Sequence, residues 1–196
     1  MRIISGAARG TRLATFSGKD IRPTSDRVRE AIFSILYSRM GEFTGKRVLD
    51  LYAGTGALAL EALSRGAQSA VLIDADRQAV RTIEANSRNC RLTQRIRILC
   101  GDVVTLTSRL TQEQPFDLIF IDPPYAKGLV ERTLKNIADF SLLAPGGLLC
   151  AETSSREEVP ATIVGTATRL VLADKRTYGS TSVHFFSHPD PEDLPA

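Results

Sequence analysis

From Arg47 onward, short and almost continuously apolar runs alternate with stretches of helical period. The apolar runs are RVLDLYA (47–53), SAVLIDA (69–75), RIRILCG (95–101), FDLIFID (116–122) and GGLLCAE (146–152). Between them lie ALALEALSRG, RQAVRTIEANSRNC, VVTLTSRLTQ and GLVERTLKNIADFSLL. A strand buried on both faces loses the in-out alternation of a half-exposed one, so five such runs predict a parallel sheet with helices on both sides. Right-handed crossovers then make the fold α/β and doubly wound, Rossmann-like. TRLVLADKRTY (168–178) and TSVHFFS (181–187) differ: they alternate, and only Gly179-Ser180 separates them. So short a loop joins antiparallel neighbours, which predicts a C-terminal hairpin at the edge of a mostly parallel, seven-stranded sheet.

The first 46 residues stand outside that alternation. Ile3-Ile4 and Thr11 to Phe16, set around Gly6 and Gly10, predict a small β-hairpin. After Pro23, SDRVREAIFSIL places Val28, Ala31, Ile32, Ile35 and Leu36 on one helical face, with Ser25 or Asp26 as N-cap. Arg27 and Arg29 fall off that face, while Phe33 and Tyr37 read as packing residues. The tail from His188, HPDPEDLPA, holds three prolines and three acids and is expected to be disordered. The chain therefore divides into a hairpin and helix extension (1–46), a main domain (47–187) and a tail (188–196).

Length and composition narrow the class. The 196 residues, 43% hydrophobic, suit one domain with a small appendage and are too apolar for a disordered chain. No apolar run approaches the roughly 18 residues of a membrane-spanning helix, and MRIISGAARG lacks the apolar stretch of a secretory signal. Cys90, Cys100 and Cys150, odd in number and widely spaced, fit a reducing cytoplasm and read as buried thiols. Charge is more telling once divided along the chain. Residues 1–47 hold ten Lys/Arg against four Asp/Glu, a net +6, and the remainder hold fifteen against eighteen, a net −3. A basic arm beside an acidic body suits a polyanionic partner.

The chemistry concentrates where strands end. In DLYAGTGALALEA (50–62), a strand runs into a glycine turn and then a helix. Gly54 and Gly56 let the backbone lie close to a ligand, the helix start offers unpaired N–H groups, and Ala59 allows close helix packing. Dinucleotide enzymes share G-x-G-x-x-A, but Asp50 lies four residues before Gly54. A carboxylate there repels a pyrophosphate and attracts an ammonium and a sulfonium, which favours S-adenosylmethionine over NAD. Asp74 ends the second run, twenty residues after Gly54, where an acid binds ribose hydroxyls, and Asp76 is the weaker candidate for that role. Asp102, after Gly101, is placed to reach an adenine amino group.

The fourth run ends in Asp122-Pro123-Pro124-Tyr125. Prolines stop the strand and fix its exit. Asp122 and the Pro123 carbonyl would accept the hydrogens of an exocyclic amine on a planar group, and Tyr125 would stack on the ring. Such contacts aim the nitrogen lone pair at a methyl donor, so catalysis here is positioning and electrostatics. Other chemistry finds no support. His184 and His188 do not share a helical face and predict no metal site, no Ser-His-Asp or Cys-His pattern has a supporting motif, and GTGALALEA lacks the Lys-Ser/Thr of a Walker loop.

Taken in order, RIISGAARGTRL, IRPTSDRVREAIFSIL, VLDLYAGTGALALEALSRGA and FDLIFIDPPY resemble the bacterial 16S ribosomal RNA guanine-N2 methyltransferases of the RsmD type, from about residue 2 to residue 186. The resemblance implies S-adenosylmethionine-dependent methylation of a guanine exocyclic amine in small-subunit rRNA, conventionally position 966. It matches Asp50, Gly54 and Gly56 to the cofactor loop, Asp74 to the ribose acid, Asp102 to the adenine side, and Asp122 to Tyr125 to the target-base motif. Arg22-Pro23-Thr24 matches a segment near the cofactor and RNA entrance. With a basic arm, Arg9, Arg12, Arg22, Thr24, Arg27 and Arg29 become the candidate RNA contacts. The implied partner is 16S rRNA or a small-subunit assembly intermediate, met by a cytoplasmic monomer that needs neither a membrane nor a second protein. DPPY also occurs in DNA adenine-N6 methyltransferases, so that activity and a non-catalytic RNA-binding module stand as alternatives.

Overall fold

The computed structural model describes residues 1–16, 26–113, 115–124 and 128–189. In chain order the elements are α1 (Asp26–Met40), β1 (Arg47–Leu51), α2 (Ala57–Ser64), β2 (Ser69–Asp74), α3 (Arg77–Asn89), β3 (Ile96–Cys100), α4 (Val103–Thr107), β4 (Phe116–Ile121), α5 (Leu129–Asp139), β5 (Leu143–Ser154), β6 (Thr162–Val164), β7 (Arg169–Tyr178) and β8 (Thr181–Ser187). The strands form one sheet in the order β3-β2-β1-β4-β5-β8-β7-β6. The first five pair in parallel, and β6, β7 and β8 join antiparallel. Strand order reverses at β1 and β4, so a crevice opens at their carboxyl ends.

Strict alternation splits each central strand between two apolar layers. Val48, Leu118 and Phe120 face a core shared with α1, α2, α3 and the N-terminal segment. Leu49, Ile119 and Ile121 face a second core under α4 and α5. Both faces of the parallel strands are thus covered, as their continuous apolar runs predict.

Three expectations change in detail. The sheet has eight strands, because Thr162–Val164 adds a short strand outside β7. The terminal hairpin is therefore inserted: β8 lies against β5, and β6 covers the outer side of β7. The N-terminal hairpin forms but is shorter than expected, its antiparallel bridge lying at Arg2 and Arg12. Its two arms are joined by Ile3 N–H to the Thr11 carbonyl (3.0 Å), Gly10 N–H to the Ile3 carbonyl (2.9 Å) and Leu13 N–H to the Met1 carbonyl (3.1 Å), and tertiary contacts fasten it to the main domain. The buried Glu61 carboxylate accepts the N–H groups of Ile4 (2.7 Å) and Ser5 (3.0 Å), and Ser64 Oγ accepts from Ala8 (2.9 Å). Gly6 adopts φ +82° against the end of α2, where a Cβ would overlap the Ser64 carbonyl.

Among side chains, Phe33 is buried against Phe43 and Phe120, whereas Tyr37 is exposed, contrary to its reading as a packing residue. Cys90 and Cys150 are buried and Cys100 is exposed at the end of β3, which corrects the reading of all three as buried. His184 is buried in β8, bonded through Nε2 to Thr153 Oγ1 (3.0 Å), and its pKa falls to about 4 because burial disfavours the charged ring. No helix among the described residues is long and apolar enough to cross a membrane. Of the tail expected to be disordered, residues 190–196 lie outside the described residues.

Candidate active site

The glycine turn is built where β1 gives way to α2. Gly54 (φ +56°) and Gly56 (φ +75°) both take left-handed backbone conformations that glycine adopts without steric cost. A side chain at Gly56 would also press on Leu72 and Ile83. Asp50, buried at the end of β1, accepts the N–H of Ala59 (3.1 Å) in the first turn of α2, so one carboxylate closes strand, turn and helix together. On the neighbouring strand Asp74 accepts the N–H of Gly54 (2.8 Å) and that of Asp76 (2.9 Å). Asp76 in turn is the N-cap of α3, accepting from Gln78.

Asp102 is exposed beyond β3 and caps α4. Hydrogen bonds from the Thr105 hydroxyl and N–H, both 2.8 Å, hold its carboxyl below the usual carboxylate range. Asp122 follows β4, which pairs with β1 so that Leu51 lies beside Ile121, and the Asp122 N–H reaches the Leu51 carbonyl (3.4 Å). Asp50 and Asp122 therefore end adjacent strands at the mouth of one crevice. Pro123 is buried and Pro124 exposed. Tyr125 lies outside the described residues, as do Arg22 and Thr24.

The acids share an unbalanced field. Burial raises the Asp50 carboxyl well above its ordinary value, and the charges of Asp122 and Asp74 add to the rise. Burial likewise raises Asp122 to about 7. Among the described residues none of the ion pairs involves Asp50, Asp74 or Asp122. A buried carboxyl and two half-buried ones, without a cationic partner among the described residues, fit a ligand that brings positive charge.

The basic arm is sorted by exposure. Arg9, Arg12 and Arg27 are exposed. Arg29 is not, and its assignment as an RNA contact is corrected: it is 1% exposed, with Nη2 donating to the Arg2 carbonyl and to Asp26 (2.9 Å). Its position, three, four and seven residues before Ile32, Phe33 and Leu36, puts it on the buried face of α1, with the N-terminal segment closing over its guanidinium.

Two residues were not anticipated. Tyr52, in the turn itself, holds φ +62° and shares a hydrogen bond with Thr133 of α5 (2.9 Å), tying the turn to the helix after the proline motif. Asn86, fully buried in α3, accepts from Ala14 N (2.7 Å) and donates to the carbonyls of Ala14 (3.1 Å) and Thr55 (2.9 Å). Its signal is a polar residue in the apolar row Ala79, Ile83, Asn86 of α3.

The profile of the family described as conserved hypothetical protein 95 matches residues 1–187. The Bacillus subtilis protein YlbH is 35% identical over 187 residues, 95% of this chain and 98% of that protein. Ribosomal RNA small subunit methyltransferase D of Escherichia coli is 33% identical over 82% of this chain and 78% of its own. The solved structure of the Escherichia coli protein yhhF superposes with a TM-score of 0.79 at 30% identity, covering 96% of this chain and 97% of that one.

Proposed function

This chain belongs to the conserved hypothetical protein 95 family, that of the RsmD-type small-subunit rRNA methyltransferases, and on that premise we propose that it methylates the N2 amine of a guanine in 16S rRNA, conventionally position 966, using S-adenosylmethionine. The observation that carries the reading is the adjacency of Asp50 and Asp122 on paired strands, one beside the glycine turn and the other opening the proline motif.

The cofactor fits the residues present. When bound, it would supply a sulfonium-activated methyl group, whose carbon–sulfur bond breaks as the new bond forms and leaves its electron pair on sulfur, and its positive charge suits the buried Asp50 carboxyl and its half-buried neighbours. Gly54 and Gly56 let the backbone approach it, Asp50 fixes the turn, Asp74 offers the lone pairs its two backbone bonds leave over to ribose hydroxyls, and Asp102 lies toward the adenine.

The target base enters from the Asp122 side. Guanine N2 is a weak nucleophile because its lone pair is conjugated with the ring. Asp122 and the Pro123 carbonyl accept the amine hydrogens, turning that lone pair out of conjugation, and Tyr125 stacks on the base. As the new N–C bond forms, the nitrogen sheds one proton, and the Asp122 carboxylate stands in position to receive it. Arg9, Arg12, Arg22, Thr24 and Arg27 hold the flanking phosphates while the base is flipped out.

Incubation with labelled cofactor and either naked 16S rRNA or partly assembled small subunits, followed by digestion to nucleosides, tests this reading. Label in N2-methylguanine is expected, and label in N6-methyladenine overturns it.

A further inference from the structure

The outer face of α3 carries a line of arginines. Arg77, Arg81 and Arg88 are exposed and separated by four and seven residues, which places them along one side of the helix, and Arg91 follows just beyond its end. From Arg77 to Arg97 the chain holds six arginines and a single acid, Glu84. Many other arginines meet carboxylates: Arg2 meets Asp26, Arg39 and Arg176 meet Asp174, Arg47 and Arg97 meet Glu113, and Arg65 meets Glu61. Arg77, Arg81, Arg88 and Arg91 enter no ion pair among the described residues. Like charges a turn apart repel, so the stripe weakens its own helix and is complementary to a partner of opposite charge.

Two contacts place the stripe relative to the crevice. At its upper end, Asp76 caps α3 and gives its N–H to Asp74, the carboxylate that also holds Gly54. Farther down, Asn86 clasps the backbone of Ala14, two residues beyond Arg12, against the same helix. The stripe thus begins beside the glycine turn and runs about 16 Å along the helix, on the exposed face opposite the one by which Asn86 holds the arm.

We propose that Arg77, Arg81, Arg88 and Arg91 form a second phosphate-binding track, distinct from the arm, that holds the rRNA strand flanking the target. The proposal rests on the reading of the protein as an rRNA methyltransferase and extends its footprint beyond the arm. Contacts of this kind set register and orientation without reading sequence, and each phosphate neutralised adds about 0.7 to 0.9 to the salt slope of binding.

The test uses the full chain and naked 16S rRNA. Filter binding across a salt series compares the parent with Arg81→Gln/Arg88→Gln/Arg91→Gln, and calorimetry follows S-adenosylmethionine. The triple variant is expected to lose about tenfold or more in RNA affinity at low salt, with a slope shallower by about 2 to 3, while cofactor affinity and the methylated nucleoside stay the same. The corresponding triple lysine variant keeps the parent slope, and Glu84→Arg steepens it by about one. An unchanged slope in both the glutamine and the Glu84→Arg variants overturns the track, even where the parent makes N2-methylguanine. A parent that binds neither naked 16S rRNA nor partly assembled small subunits removes the functional reading itself.

Discussion

Asp74 and Gly54 are joined across the top of the sheet: one oxygen of the carboxylate accepts the glycine N–H at 2.8 Å while the other accepts that of Asp76 at 2.9 Å. The acid read as a ribose ligand therefore also shapes the turn that carries the cofactor and the start of α3. Its two duties are compatible, because a carboxylate has about four lone-pair directions. Asp74→Ala removes both, and S-adenosylmethionine affinity measured by calorimetry is expected to fall by at least about tenfold. Asp74→Asn keeps one acceptor oxygen and should lie between. Equal affinity in the alanine variant would show that Asp74 serves neither ribose nor turn.

Asp122 gives the reaction a pH dependence with a definite sign. Burial raises its carboxyl to about 7, so below neutrality it is protonated and cannot take a proton from the amine. In the free enzyme kcat/KM should climb between pH 6 and pH 8, approaching tenfold per pH unit on the acid side. Asp122→Asn, which accepts hydrogens but does not titrate, should show a lower and flatter profile, and Asp122→Ala should lose turnover while largely keeping cofactor binding. The ligand-free fold responds oppositely. Between the ordinary carboxylate value and about 7 the native state holds a proton that the unfolded chain lacks, so the contribution of Asp122 to stability declines as pH rises through that window. A parent rate profile that is level from pH 6 to pH 8 would rule out Asp122 as the acceptor.

Arg27 and Arg29, two positions apart on α1, should separate cleanly. Arg27 is exposed, and Arg27→Glu is expected to weaken rRNA binding, with a shallower salt slope and an unaltered melting temperature. Arg29 is buried, its Nε and Nη1 lack hydrogen-bond partners among the described residues, and burial lowers its pKa. Arg29→Ala should cost about 2 to 4 kcal/mol through lost packing and the released Arg2 carbonyl, before any effect on RNA. A normal melting curve for Arg29→Ala together with weakened RNA binding would reverse the two assignments.

The same pair shows where sequence reading succeeds and where it stops. Apolar runs and glycine turns are local signals, so the parallel strands, the turn at Gly54 and Gly56, and the acids at strand ends were legible before any coordinates. Arg29 was misread because its charge was taken as a sign of exposure: three, four and seven residues before Ile32, Phe33 and Leu36, it shares their buried face, and the Arg2 carbonyl that receives its guanidinium lies on another segment. The N-terminal hairpin was legible in its turn residues, but what fastens it was not. Ile3 and Leu13 are apolar because they enter the main core, and the backbone of Ile4 and Ser5 is satisfied by Glu61, more than fifty residues away, in place of a partner strand. The short strand at Thr162–Val164 follows Pro160 and has too few residues to show a period. Asn86 and Tyr52 are long-range in the same sense: what each holds lies on another element.

Asn86 is the strongest case for a residue that acts through others. Its amide makes three hydrogen bonds in a fully buried position, two to Ala14 and one to Thr55 inside the glycine turn, so the arm and the cofactor loop share one fastening. Asn86→Ala leaves the Ala14 N–H and two carbonyls unpaired. At about 1 kcal/mol for each lost bond, the melting temperature should fall by about 6 to 12 °C. A purely structural loss would stop there. A positioning role predicts in addition that, well below the new melting temperature, the KM for S-adenosylmethionine rises several-fold and protease cuts the arm faster, while saturating cofactor restores much of the rate. Asn86→Asp keeps one acceptor but sets a carboxylate against two carbonyls, and should fall short of rescue on both counts. Unchanged KM and unchanged cleavage in a destabilised Asn86→Ala protein would confine Asn86 to the core.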